Sequence, residues 1–239
     1  MIRVEEQHVQ RPKQSIQVLV SLLILPLVFL SNHLFAFIFA RLTGVWEGFA
    51  FFVVISLWQS LLLIGGTMYL SLGRWGMTPA GLGLGQQQLM KGLKEGFSSG
   101  LLIFALVILG GMMVELFYPI SSTDVQLFTE MVLEASSPWQ LSVLFIFGVI
   151  IAPFAEELYF RGLLFSVLKQ YLGLGWGIVT SGIVFGLLHF DLVRLFPLAL
   201  GGMGLAVLYH KTKSLYASII AHGVWNGLMF AILLLADRV

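Results

Sequence analysis

Uncharged apolar stretches recur along almost the whole chain and decide what it can become. Residues from about Ile16 to Ala40 carry no formal charge, and neither do those from about Gly48 to Leu72 and from Phe97 to Val114. Further stretches run from about Trp139 to Phe160, Trp176 to Phe190, Leu195 to Tyr209 and Leu215 to Ala236. A hydrocarbon core of about 30 Å is crossed by about 20 apolar residues in a helix, because backbone amides find no water there. The pattern predicts an all-α, polytopic membrane helix bundle with seven to eight transmembrane helices. Seven are the stretches above. Arg161–Leu172 forms an eighth, short amphipathic piece or extends the fourth helix.

Composition excludes the alternatives. Only 10% of the 239 residues are charged and 58% are hydrophobic, against about 25% charged in a soluble domain. With a net charge of +1 and 20 Phe, neither a disordered chain nor a nucleic-acid partner fits. The absence of cysteine removes disulfides, thiolate metal sites and a cysteine nucleophile.

The first apolar stretch is too long for a signal-peptide core and lacks an A-x-A cleavage pattern, so it reads as a retained helix. With the amino terminus inside, ten of the 13 basic residues fall on the cytoplasmic side. They are Arg3, Arg11, Lys13, Arg74, Lys91, Lys94, Arg161, Lys169, Lys211 and Lys213; Arg41, Arg194 and Arg238 fall outside. The loop from Tyr118 to Pro138 holds Asp124, Glu130 and Glu134 but no basic residue, as expected of an outer loop. Residues 1–138 are read as three membrane helices and 139–239 as the functional core of a single membrane domain. The Gly81–Gly85 run resembles a phosphate loop only superficially, lacking the Lys-Ser/Thr and the preceding strand, and reads as a flexible loop. Trp46, Trp75, Trp139 and Trp176 sit near span ends and are expected to anchor at the interface.

Ionisable residues inside spans each cost a few kcal/mol on insertion scales and demand an explanation. The late spans hold three such clusters. In the first, Glu157 and Arg161 lie four apart and pair on one helix face, while Glu156 points about 100° away without a local partner. Pro153, just before, loosens the helix and exposes backbone carbonyls. An unpaired carboxylate suits a general base or acid. In the second, His189 shares a face with Phe185, and Gly182-x-x-x-Gly186 permits close helix approach. In the third, His222 and Asn226 project from one face, flanked by Gly223 and Gly227. Plainer readings stand beside these: a water-side helix end, a satisfied interior histidine, and interhelical glue. Folding the chain back at Gly173-Leu174-Gly175 brings Glu156 and His189 to depths within about one helical turn of each other.

Taken in order, E-E-x-x-x-R, F-x-x-x-H and H-x-x-x-N on successive late spans resemble the CPBP family. This family comprises CAAX proteases and bacteriocin-processing enzymes, also known as the ABI domain. The resemblance covers roughly Trp139 to Leu235. It implies an intramembrane endopeptidase of the type II CAAX prenyl endopeptidase kind, whose eukaryotic relatives cleave three residues from prenylated CAAX proteins. Bacterial relatives are linked to peptide processing, bacteriocin self-immunity and protein-export support. Carried over, Glu156 activates water with help from His189, while His222 and Asn226 stabilise the oxyanion. Glu157 and Arg161 form an orienting pair, and Phe185 supports them.

The resemblance implies no obligatory cofactor. A zinc alternative uses Glu156, His189 and His222 as ligands, although these residues lack a preorganising H-E-x-x-H spacing. The implied partner is a peptide or protein substrate arriving from the membrane or the cytoplasmic side, and the expected location is a prokaryotic cell membrane. Two other functions use the same polar groups: a transporter with a carboxylate/His relay, and a non-enzymatic membrane adaptor or immunity protein.

Overall fold

The computed structural model describes residues 14–118 and 127–236; Arg3, Arg11, Lys13, Asp124 and Arg238 lie outside them. The described residues form eight helices. These are α1 (Gln14–Thr43), α2 (Phe49–Arg74), α3 (Gln86–Phe117), the short α4 (Leu127–Leu133) and α5 (Pro138–Leu172). After them come α6 (Leu174–Leu187), α7 (Leu195–Thr212) and α8 (Leu215–Ala236). This is an all-α membrane bundle. Among the described residues α1, α2, α3, α5 and α8 are long and apolar enough to cross a bilayer; α6 is apolar but shorter. The seven to eight expected crossings are therefore met on length and composition for five helices. Arg161–Leu172 is no separate piece: it continues α5 without a break, ending where Gly173 takes φ +82° and reverses the chain into α6.

A stretch buried on every side belongs in the middle of a bundle, and the Leu158–Phe165 part of α5 occupies that position. Every residue from Leu158 to Phe165 is buried, including Tyr159, whose hydroxyl donates to the Ser21 carbonyl of α1 at 3.1 Å. Around α5 pack α1, α2, α6, α7 and α8. The outer faces of α1 and α3 carry exposed Leu, Phe and Met side chains suited to lipid.

Small residues set the spacing of the remaining helices. Gly92, Gly96 and Gly100 recur every fourth residue on α3, so they line one face. An added Cβ on Gly96 would lie 2.7 Å from Cβ of Ile220 on α8, and one on Gly100 2.7 Å from Cβ of Val224. On α6, a Cβ at Gly182 would meet the Ala199 carbonyl of α7 at 2.8 Å, and one at Gly186 the Leu195 carbonyl at 2.8 Å. The expected close approach at Gly182-x-x-x-Gly186 is thus made by α7.

Two local expectations change. Trp75 is 5% exposed and joins the core, where the end of α2 widens to the i→i+5 register and Trp75 N–H bonds the Leu70 carbonyl at 2.9 Å; Trp46, Trp139 and Trp176 are exposed. The Gly81–Gly85 run is a docked wedge, not a free loop. Leu82 is fully buried, and the Gly83 carbonyl accepts from Leu215 N–H at 3.0 Å. Gly83 has φ +81°, and a Cβ there would sit 2.7 Å from Leu215 N, so only glycine fits.

Candidate functional site

The site begins with a missing hydrogen on α5. Between Phe147 and Ile151 the helix widens to the i→i+5 register, with Ala152 N–H bonded to the Phe147 carbonyl. In that register the Gly148 carbonyl would accept from residue 153, which is proline and has no N–H. The freed carbonyl accepts instead from Nδ2 of Asn226 on α8, at 2.9 Å. Beside it Gly223 lets α8 close in: a Cβ there would lie 2.7 Å from the Val149 carbonyl. The expectation that Pro153 frees a backbone acceptor is met at Gly148.

One turn along α8, His222 is 3% exposed and its Nδ1 lies 2.9 Å from Oε1 of Glu157. An ionised carboxylate only accepts, so Nδ1 carries the hydrogen. The same oxygen accepts from Nη1 of Arg161 at 2.8 Å, and Nη2 of Arg161 donates to the Gly202 carbonyl of α7 at 3.1 Å. Both Glu157 and Arg161 are completely buried. The guanidinium lies 4.9 Å from the Phe185 ring centre. Burying either charge alone would cost several kcal/mol, and their direct pairing offsets this.

Glu156 differs from its neighbour. Its side chain is 29% exposed, and its Oε2 lies 3.9 Å from Nε2 of His222, too long for a direct hydrogen bond. His222 therefore stands between two carboxylates, one sealed and bonded, the other reachable. The imidazole is held flat against Trp225, ring centres 5.2 Å apart, and edge-on to Phe185 at 5.6 Å.

His189 lies in the turn beyond α6, half-buried, with Nδ1 at 2.9 Å from the Phe185 carbonyl and its ring 5.0 Å from that of Phe185. Among the described residues no hydrogen bond or ion pair joins it to Glu156; the Phe185 ring touches both His189 and His222. The structure thus gathers Glu156, Glu157, Arg161, Phe185 and His222, ties Asn226 to α5 one turn away, and sets His189 against the Phe185 ring that also touches His222. Two participants escaped the sequence reading. Trp225 carried no polar signal, and the Gly202 carbonyl is invisible in a sequence. Pro153 did signal the Gly148 carbonyl.

No three of the described His, Asp or Glu side chains gather closely enough to hold a metal ion. Of the residues named for the zinc alternative, Glu156 and His222 lie 3.9 Å apart, while His189 places Nδ1 on the Phe185 carbonyl and leaves its Nε2 open.

Residues 138–228 match the family model "Type II CAAX prenyl endopeptidase Rce1-like". The chain is also 31% identical over 84 residues to a Bacillus subtilis (strain 168) protein named "Putative membrane peptidase YdiL". That alignment covers 35% of this chain and 34% of the relative, so the chain spans about a third of the relative's length. No solved structure matches. The family-model match spans all three polar motifs, from Glu156 to Asn226, and both matches support the resemblance to the CPBP family.

Proposed function

From the Rce1-like match over residues 138–228, we propose that this integral membrane protein is an intramembrane endopeptidase using glutamate-activated water. The observation that carries this reading is His222, fixed by Glu157 and facing the reachable carboxylate of Glu156 across 3.9 Å.

In the proposed reaction a water held between Glu156 and His222 loses a proton to Glu156 and attacks the scissile carbonyl carbon. Negative charge develops on the carbonyl oxygen. With Nδ1–H committed to Glu157, a ring protonated also on Nε2 donates to that oxygen. The second amide hydrogen of Asn226, not used by Gly148, provides the other donor. Collapse breaks the C–N bond, and the proton on Glu156 passes to the leaving amine. Glu157 and Arg161 position His222 as a buried carboxylate positions the histidine of a catalytic triad. The Nδ1–H of His189 donates to Phe185, which leaves its Nε2 as an acceptor to help orient the water. No metal takes part. The substrate is a peptide or protein segment, a prenylated CAAX terminus or a peptide precursor, entering from the membrane or the cytoplasmic side. The amino terminus is cytoplasmic, and the membrane is that of a prokaryotic cell.

The test is Glu156→Gln in purified protein, assayed on prenylated CAAX peptides and on unprenylated peptide libraries. Cleavage by wild type and its loss by at least about 10²-fold in the variant, with an unchanged melting temperature, is the expected result. Wild-type cleavage rates in the variant would overturn the mechanism.

A further inference from the structure

A polar cavity lies at the opposite end of α5 from Pro138, away from Glu156. It has a volume of about 240 Å³ and is walled by the last turns of α5 and α7, the α7–α8 turn and the glycine wedge. Thirteen residues separate Glu156 from Lys169, which places the cavity about 20 Å along the helix axis. Three bases line it: Lys169, His210 and Lys213. Gln88 and Gln170 add amide groups, and no acidic side chain lines it.

The bases are turned toward one another without a counter-charge. Nζ of Lys213 lies 3.1 Å from Nδ1 of His210, so the ammonium donates to the ring and the imidazole hydrogen sits on Nε2. Nζ of Lys169 lies over the Phe165 ring, 5.7 Å from its centre. Among the described residues none of the three forms an ion pair with a carboxylate. Lys213 also adopts φ +54°, a left-handed conformation unfavourable for a side-chain-bearing residue, where helix ends ordinarily carry glycine or asparagine. Its carbonyl packs on Gly83, 2.8 Å from where a Cβ would be, so the wedge holds the lysine in place.

We propose that this cavity is a phosphate-anion site that takes the headgroup phosphate of an anionic phospholipid. Two lysines and a histidine line a space of about 240 Å³, which suits a phosphate and its ester oxygens. Its level in the bundle supports a lipid source. Lys169 ends a membrane-length helix, and the exposed aromatic side chains of Tyr171 and Trp176 sit at the same end, where aromatic belts mark the headgroup layer. The glycine run thus contributes to a phosphate pocket as a wall, with the cations supplied by α5 and the α7–α8 turn.

The experiment uses the full chain in neutral detergent. Melting temperature and binding are measured with inorganic phosphate, with phosphatidylglycerol in mixed micelles, and with phosphatidylcholine as the zwitterionic reference. Phosphatidylglycerol is expected to bind and stabilise, and the Lys169→Gln/Lys213→Gln double variant to weaken it about tenfold or more. Gln170→Glu, at an exposed wall position that folding tolerates, is expected to weaken it several-fold. Lys91→Gln/Lys94→Gln, exposed and outside the cavity, should leave binding unchanged. Binding of inorganic phosphate that the same cavity variants abolish supports the site with a soluble source. Equal losses from the Lys91/Lys94 and cavity variants, unchanged binding in the cavity variants, or no binding of either anion would overturn the proposal.

Discussion

A single oxygen, Oε1 of Glu157, accepts hydrogen bonds from both His222 and Arg161, at 2.9 and 2.8 Å, in a position closed to solvent. Helices α5, α7 and α8 meet at this carboxylate, because Arg161 also reaches the Gly202 carbonyl.

Glu157→Gln removes the counter-charge while keeping the shape. Arg161 then remains buried as an uncompensated cation, so stability falls by about 3–5 kcal/mol, read as a lower melting temperature in detergent. Replacing both partners with apolar residues, as Glu157→Leu/Arg161→Met, recovers much of that stability but no cleavage, since His222 has lost its acceptor. A melting temperature for Glu157→Gln equal to that of wild type would contradict the pairing.

Asn226→Ala removes a donor to the developing oxyanion and the tether to Gly148. The turnover number is expected to fall about 10²- to 10³-fold with a much smaller change in KM. A loss confined to KM would assign Asn226 to substrate binding instead.

The glycine face of α3 predicts a steric effect far from the chemistry. Gly96→Leu forces side-chain atoms into Ile220 and destabilises by about 1–3 kcal/mol. Gly111→Ala, on the same helix with nothing within 4 Å of an added Cβ, is neutral or slightly stabilising. Equal melting temperatures for the two variants would refute close α3–α8 packing.

Exhaustive chelation followed by metal analysis separates the glutamate and zinc mechanisms. Purified protein is expected to retain its cleavage rate with no stoichiometric metal bound. Loss of activity that zinc restores would require a different arrangement of Glu156, His189 and His222 from the one described.

The helical membrane fold was legible because uncharged stretches have few other solutions, and the Glu157–Arg161 pair because helical spacing alone brings residues four apart together. The placement of His222 next to Glu156 was not legible. It depends on how far α5 continues past Arg161, and that length is set by burial of Leu158 to Phe165 against five neighbouring helices, which no local pattern encodes. The wide turns on α5 were equally hidden, since i→i+5 bonding has no residue signature beyond a proline such as Pro153. Trp75 misled because an aromatic near a span end fits the interface and the core equally well until the tertiary packing is known.

Pro153 has a consequence beyond its own turn. Because it offers no hydrogen to the carbonyl behind it, helix α5 carries a permanent flaw in its ladder, and Asn226 mends that flaw from outside. Regularity of one helix and attachment of another thus compete for the same oxygen, so a residue with no polar hydrogen of its own helps decide where an amide stands.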